Sequence, residues 1–349
     1  MASVSTRGGT VTVAAFTGSA TMSSRRFRVL QYAPLLAAHG VNLREHVARF
    51  GSWPPRSRML RPPWFVATLA NRIAPVVQSH LHDVTLLQRE LVSTFLTLEP
   101  FTKRPRVLDV DDAVWLNGRR AERSFKSLVR MCDGVMCGNA YIESTAKQWG
   151  SNTLLLPTAV DTDRFIPRQV ASQERLVIGW SGLHAGSKYL LGIEDALYDV
   201  LAMRRDAVLR VVSDRRPEFT RLKESMVEYI PWSPANEVET IQGMTVGLMP
   251  IDDTLWSRGK CSYKMLLYMS CGIPVVVSPY GMNAEVLAKG SVGCAAASQS
   301  DWADTLLLLL GNREMGAEMG REGRRVVEAS YSLRTLASRM AAYLRGFRR

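Results

Sequence analysis

From Val11 to Ala296 the sequence alternates short apolar, β-branched runs with amphipathic stretches, and that alternation leaves few folds open. Strands that are each followed by a helix cannot pair as hairpins. They pair in parallel, with crossover helices covering the sheet faces. The runs Val11–Phe16, Val41–His46, Asp83–Gln88, Arg106–Val110, Gly134–Gly138 and Thr153–Pro157 predict six strands. Helices are predicted over Arg26–His39, Glu143–Trp149 and a stretch between Phe65 and Gln78. After Asp161–Pro167 and the polar piece Ala171–Glu174 the pattern restarts. Strands are expected at Leu176–Trp180, Val208–Ser213, Glu228–Pro231, Val246–Pro250, Pro274–Ser278 and Gly293–Ala296, with helices near Tyr189–Met203, Asn236–Gly243, Tyr263–Cys271, Asn283–Ala288 and Asp301–Gly311. Two doubly wound halves joined near residue 170 follow, and a chain of 349 residues exceeds what one core serves. Ligands in such folds bind beyond the carboxyl ends of the strands, so the cleft between the halves is the expected site.

The division expected from this pattern is 1–168, 169–330 and a last segment, 331–349, whose helix Leu333–Phe347 follows the helical stretch Arg313–Ser330. Charge is distributed unevenly over it. Residues 1–168 hold 22 basic and 12 acidic side chains, residues 169–330 hold 17 and 20, and the tail holds 5 and none, for a net +12. A basic first half attracts phosphorylated substrates, anionic lipid or nucleic acid, or serves solubility. The basic residues are dispersed and no nucleic-acid module is recognisable, so nucleic acid is not an expected partner. Five cysteines without a CxxC pair read as buried free thiols rather than disulfides or a zinc site. No apolar run approaches membrane-spanning length and no leader-like start is present, so a cytoplasmic location is expected, with any membrane contact peripheral. The segment Gly51–Val66, with Arg56, Arg58, Arg61, Met59, Leu60, Trp64 and Phe65, could form such a contact or pack on the protein as a proline-rich loop.

The richest stretch for chemistry is Arg258–Leu287. Arg258, Lys260 and Lys264 lie within seven residues, and Lys260 and Lys264 would share a face of a starting helix. Cations in such a place stabilise the negative charge of a departing diphosphate. Gly281, Met282 and Asn283 follow a buried strand and open the helix that carries Glu285, and a glycine there lets backbone approach a phosphate or sugar. The loop from Ser181 and Gly182 to Lys188 offers small residues and a counter-charge; Ser213 ends a neighbouring strand and Trp232 follows the next, where it could flank a base or fill the core. In the first half, Gly18 and Ser19 begin a long small-residue loop that leads to Arg25 and Arg26, with Arg28 just beyond, on the acceptor or phosphate side, or simply at the surface. That loop is not GxGxxG, which argues against a dinucleotide enzyme. Asp109, Asp111 and Asp112 crowd one strand end, and so many carboxylates beside apolar residues suggest a general base, a hydroxyl ligand or a metal ligand. Arg89 and Glu90 end the preceding strand and could form an ion pair adjoining Asp111.

These residues resemble a family. Lys264–Pro279 with Gly281–Val286, together with Leu156–Phe165 and Ile178–Gly182, are similar to the GT-B glycosyltransferases of the large retaining family 4. The resemblance implies two Rossmann-like domains facing a cleft, the nucleotide-sugar on the second, the acceptor on the first, and a last helix returning to the first. It also implies retention of anomeric configuration and no metal or other cofactor. Matched on Tyr268–Gly272, the family's two donor-site glutamates fall at Gly259 and Leu267, neither acidic, and its cleft histidine falls at Asp111. Where the family usually has an arginine this chain has Gly182, so Lys188, Arg258 and Lys260 are the expected replacements of charge, and Glu285 or the backbone would meet the ribose. The expected function is transfer of a sugar from a nucleoside diphosphate-sugar to a glycan or lipid-linked acceptor in cell-surface polysaccharide or glycoconjugate synthesis. Asp111, Asp112 and Lys260 are the candidate catalytic residues. A non-catalytic nucleotide-sugar binder and a sugar-nucleotide epimerase are the alternatives.

Overall fold

The computed structural model describes residues 9–168 and 175–348, so the expected joint near residue 170 lies outside the described residues. The chain divides into two compact units. One runs to Ala159 and includes Gly259–Cys261 and the chain from Leu333; the other comprises Val160–Arg258 and Ser262–Ser332. The change of unit falls at Ala159, ahead of residue 168, because the following segment is tied to the second unit. Val160 N–H donates to the Tyr331 carbonyl at 2.9 Å, and the Arg324 guanidinium donates to the carbonyls of Thr162 and Phe165 at 2.9 and 2.5 Å.

Six parallel strands form the first unit's sheet: β1 (Val11–Thr17), β2 (Val41–Val47), β3 (Val84–Gln88), β4 (Arg106–Val110), β5 (Gly134–Cys137) and β6 (Thr153–Leu155), in the order β2-β1-β3-β4-β5-β6. Strands β1, β3, β4 and β5 are buried on both faces, as continuous Val/Leu runs in parallel sheets must be. The helix Leu333–Arg345 buries Leu336, Met340 and Leu344 in this core, beside Val11, Val41 and Leu36. Two local readings are corrected. The stretch 26–39 is not one helix: it breaks into Ser23–Arg28, a 3-10 turn Leu30–Tyr32 and Ala33–Ala38, with Pro34 entering the last at its start. Arg119–Met131, a helix that was not expected, buries Ala121, Phe125, Leu128 and Val129.

The second unit has β7 (Leu176–Ser181), β8 (Ala207–Ser213), β9 (Val227–Pro231), β10 (Val246–Met249), β11 (Val275–Val277) and β12 (Gly293–Ala295), again parallel, in the order β12-β11-β10-β7-β8-β9. Counted within the unit this is the doubly wound order 3-2-1-4-5-6 read from one edge, and its switch point lies between β7 and β10. Trp180, Leu209, Leu248, Leu306 and Trp302 lie in its core. Among the described residues no helix is long and apolar enough to cross a membrane, and the cysteines are all free, with Cys294 alone short of full burial.

Candidate active site

At the second unit's switch point, β7 ends in Ser181 and the chain turns through Gly182 and a 3-10 turn His184–Gly186 into a short helix, Ser187–Leu191. The turn is fixed from beneath. The Tyr268 hydroxyl accepts from Ser181 N–H at 2.8 Å, and Gly182 N–H donates to the Val212 carbonyl at 2.9 Å. Lys264 lies along this turn, its Nζ 4.7 Å from the centre of the buried Trp180 ring. A Cβ on Gly182 would come within 2.5 Å of Lys264 Cε and 2.8 Å of its Nζ, so the glycine is what lets the ammonium lie there. Lys188 is exposed, 4.7 Å over the Tyr189 ring, and contributes to holding the Asp252 carboxyl below its ordinary range, where hydrogen bonds from Ser257 and Thr254 outweigh burial. Tyr268 and Trp180 were missed as site residues. Their signal was a helix and a strand end already singled out.

The end of β11 is locked to the same region by Asn283. Its buried amide donates to the carbonyls of Met249 and Ser278 at 3.2 and 3.0 Å, and its Oδ1 accepts from the Ser262 hydroxyl at 2.7 Å. Ser262 is left-handed (φ 46°) and starts the helix Tyr263–Ser270. The buried side chains of Asn283 and Met282 therefore organise the backbone of this turn. Gly281 has φ 55° and sits so close to Arg258 that a Cβ would lie 2.9 Å from the Arg258 Cα, so both conformation and space call for glycine. Arg258 ends the short helix Leu255–Arg258 and pairs with Asp253 at 2.9 Å. Ser213 is fully buried, with its carbonyl accepting from Trp232 N–H at 2.9 Å; the Trp232 side chain is 37% exposed, enough to receive a flat partner. Glu285 is exposed on the helix Met282–Leu287.

Lys260 does not share a helical face with Lys264. The helix begins at Tyr263, and the left-handed residue before it turns Gly259–Cys261 into the first unit. There Asn139 Nδ2 donates to the Lys260 carbonyl at 2.9 Å, and Cys261 Sγ donates to the Asp111 carbonyl at 3.1 Å. A Cβ at Gly259 would sit 2.5 Å from Ala113 Cβ and 2.9 Å from its backbone nitrogen, so no glutamate fits as the backbone stands. Leu267 is buried.

Beside Lys260 in that unit lie the carboxylates that follow β4. Arg89, left-handed at φ 61°, reaches Asp111 Oδ1 from Nη2 at 2.5 Å and from Nε at 2.9 Å, and Asp112 Oδ2 at 3.1 Å. Burial works against the Arg89 charge, but the two carboxylates overcome it and hold the guanidinium firmly protonated. Burial pushes the Asp112 carboxyl up; Arg89 and Lys260 pull against that, and Asp111 adds to it. Arg89 thus pairs with Asp111 and Asp112 rather than with Glu90, whose buried carboxyl is pushed up to about 7. Gly18, Gln88, Arg89, Glu90 and Thr94 line a narrow pocket near the ends of β1 and β3, with a volume of about 10 Å³, roughly one water.

One further reading is corrected here. Asp109 is not a free acid: it is buried against Arg28, Oδ1 to Nη2 at 2.5 Å, and Arg28 also donates to the Leu156 carbonyl at 2.7 Å, so neither meets a ligand. Arg25 forms a two-pronged pair with Glu45 at 2.6 and 2.8 Å, while Arg26 lies 4.8 Å over the Phe27 ring and Ser19 bonds Thr21 at 3.2 Å. Among the described residues no group of three His, Cys, Asp or Glu side chains gathers as a metal site.

Residues 176–312, nearly all of the second unit's sheet with its helices, match the profile of a family described as Glycosyl transferases group 1. No curated protein sequence matches the chain. Among solved structures it is similar to sucrose-phosphate synthase from Thermosynechococcus elongatus, with TM-score 0.69 and 14% identity over 96% of this chain and 98% of that one. HepE from Anabaena, in complex with UDP and glucose, gives TM-score 0.69 and 14% identity over 96% and 100%. WaaG, a glycosyltransferase involved in lipopolysaccharide biosynthesis, gives 0.67 and 13% over 96% and 99%. At such identities the likeness defines the fold, the GT-B architecture of two Rossmann-like domains.

Proposed function

We propose that this chain is a glycosyltransferase that moves a sugar from a nucleoside diphosphate-sugar to a glycan or lipid-linked acceptor. The observation that carries the proposal is that the match to Glycosyl transferases group 1 covers the unit whose switch point brings Lys264 along the Ser181–Gly186 turn. Cleavage of the donor leaves about two negative charges on the diphosphate, and Lys264 and Lys188 would stabilise charge that grows in the transition state. HepE has also been solved with UDP-glucose, which makes uridine diphosphate donors the first to test. In the first unit, Asp111 and Asp112, held by Arg89, would orient the acceptor hydroxyl, with Lys260 beside them. Retention of configuration, independence of metal and a cytoplasmic location belong to the same reading. Lys260→Ala is expected to lose most transfer activity in a donor panel read by released nucleotide, with the fold intact. Turnover like that of the wild type would refute the catalytic assignment of Lys260.

An acceptor at a membrane surface is favoured by one observation. Residues 46–82 contain no acidic side chain, and Met59, Leu60, Val66, Ile73 and Val77, on the helix Arg61–Ser79 and the turn before it, are 56–88% exposed. Trp64 and Phe65 are turned to the protein instead, Trp64 donating to the Phe50 carbonyl at 2.8 Å and Phe65 packing 5.7 Å from Phe95. Co-sedimentation with anionic but not neutral liposomes is expected; equal retention on both would remove the electrostatic part of this reading.

A further inference from the structure

We propose that the first unit holds an anion site, separate from the narrow pocket beside Glu90, that takes a phosphate or diphosphate group. A cavity of about 430 Å³ lies between Thr94–Leu96 and the first turns of the helix Arg119–Met131, where Arg119, Arg120 and Arg123 line it without any carboxylate. None of these three guanidinium groups forms an ion pair among the described residues. The helix does not favour their gathering: the exposed Arg119 and Arg123 are like charges four apart, and Arg119 and Arg120 oppose the dipole in a first turn whose one acid is Glu122. An anion in the cavity reverses the sign of both effects. Gly118 at the head of the helix supplies no side-chain cap. A fourth group points the same way, since Ser124 lines the cavity and its hydroxyl, screened from solvent, has no hydrogen-bond partner.

The opposite wall is built, not incidental. Glu99, fully buried, accepts from Leu91 N–H at 2.7 Å and from Thr97 N–H at 2.5 Å, which pins the loop carrying Thr94, Phe95 and Leu96. The Arg120 guanidinium lies 5.4 Å over the Phe95 ring and is thereby held at the cavity. Three arginine forks and a hydroxyl suit a tetrahedral phosphate better than a single carboxylate, which one fork would satisfy. Thr94 also lines the pocket of Arg89 and Glu90. On the transferase reading, therefore, the phosphate would belong to the acceptor, whose sugar hydroxyl is presented toward Asp111 and Asp112.

The test is titration calorimetry of the full chain with inorganic phosphate, inorganic diphosphate and glycerol 1-phosphate, repeated on R119Q/R120Q/R123Q and on Ser124→Ala. Loss of charge-assisted contacts is expected to weaken phosphate binding about tenfold or more in the triple variant, and a few-fold in Ser124→Ala, whose helix is undisturbed. Binding of uridine diphosphate, measured separately, is expected to stay within about twofold in both. That comparison separates failure of this site from failure of the transferase reading. Phosphatidic acid vesicles form the second arm. Arginine-dependent binding of vesicles alone assigns the phosphate to a lipid headgroup, and arginine-dependent binding of the soluble esters assigns it to a free phosphorylated group. Phosphate and vesicle binding unchanged in both variants, or absent from the wild type, would overturn the proposal.

Discussion

Replacing Asp109 by asparagine is expected to destabilise the first unit by about 3 kcal/mol, toward the lower end of the 3–5 kcal/mol found when one partner of a buried pair is removed. The pair is almost without solvent, with side-chain exposures of 0% for Arg28 and 1% for Asp109. Its geometry leaves the guanidinium no other anion: Nη2 and Nε both face the carboxylate, at 2.5 Å and 3.1–3.2 Å, and Nη1 is spent on the Leu156 carbonyl. Asparagine keeps one acceptor oxygen but loses the charge, so Arg28 stays buried and uncompensated. Against a total of about 5–15 kcal/mol for a domain, this is a large fraction. With a urea slope of about 1–3 kcal/mol/M, the transition of that unit moves down by about 1–3 M. Urea unfolding followed by circular dichroism and tryptophan fluorescence measures it. The double replacement Arg28→Met with Asp109→Leu is expected to cost less than Asp109→Asn alone, because no charge is left behind, although the Leu156 carbonyl loses its donor. A single variant within about 1 kcal/mol of wild type would refute the claim that the pair is dry and mutually dependent.

Other consequences can be measured alongside. The Glu90 carboxyl titrates near 7 in the fold against an ordinary 4.5, so the native state keeps a proton that the unfolded chain releases. Stability should fall as pH rises between those values, by about 3 kcal/mol in all, and Glu90→Gln should remove most of that slope in thermal melts from pH 4 to 8. A pH-independent difference between wild type and variant would contradict it. Asn283→Leu leaves two carbonyls and the Ser262 hydroxyl without their partner and is expected to cost about 2–4 kcal/mol by denaturant titration. Gly182→Ala meets the flexible end of Lys264 at 2.5 Å and, less closely, the buried Trp180 ring at 3.1 Å, so its melting temperature should fall only slightly while nucleotide affinity drops several-fold; equal affinity would separate Lys264 from the site.

The sheets were readable because parallel strands buried on both faces are continuous apolar runs, and each predicted strand lies within a few residues of an observed one. The helix Arg119–Met131 escaped because five of its thirteen residues are basic, although Ala121, Phe125, Leu128 and Val129 already had helical spacing. At the site, the glycine turns and Lys264 stood close together in one legible stretch, and the ends of adjacent strands made a meeting of Arg89 with Asp111 foreseeable. The role of Asp109 was hidden, since its partner lies 81 residues away and only the packed sheet brings it near. Lys260 was misplaced for a local reason. Sharing a face with Lys264 required the helix to have started by residue 260, whereas it begins at Tyr263, and the left-handed serine before it carries the lysine toward Asn139 and Asp112.

The central claim is that the second unit binds a nucleoside diphosphate at the β7–β10 switch point through Lys264. Titration calorimetry with uridine diphosphate tests it most directly, on the wild type and on Lys264→Ala with matched melting temperatures. Saturable binding by the wild type, weakened about tenfold or more by the loss of one charge-assisted contact, is the expected result. No binding of any nucleoside diphosphate by the wild type, or equal affinity in the variant, would contradict the claim.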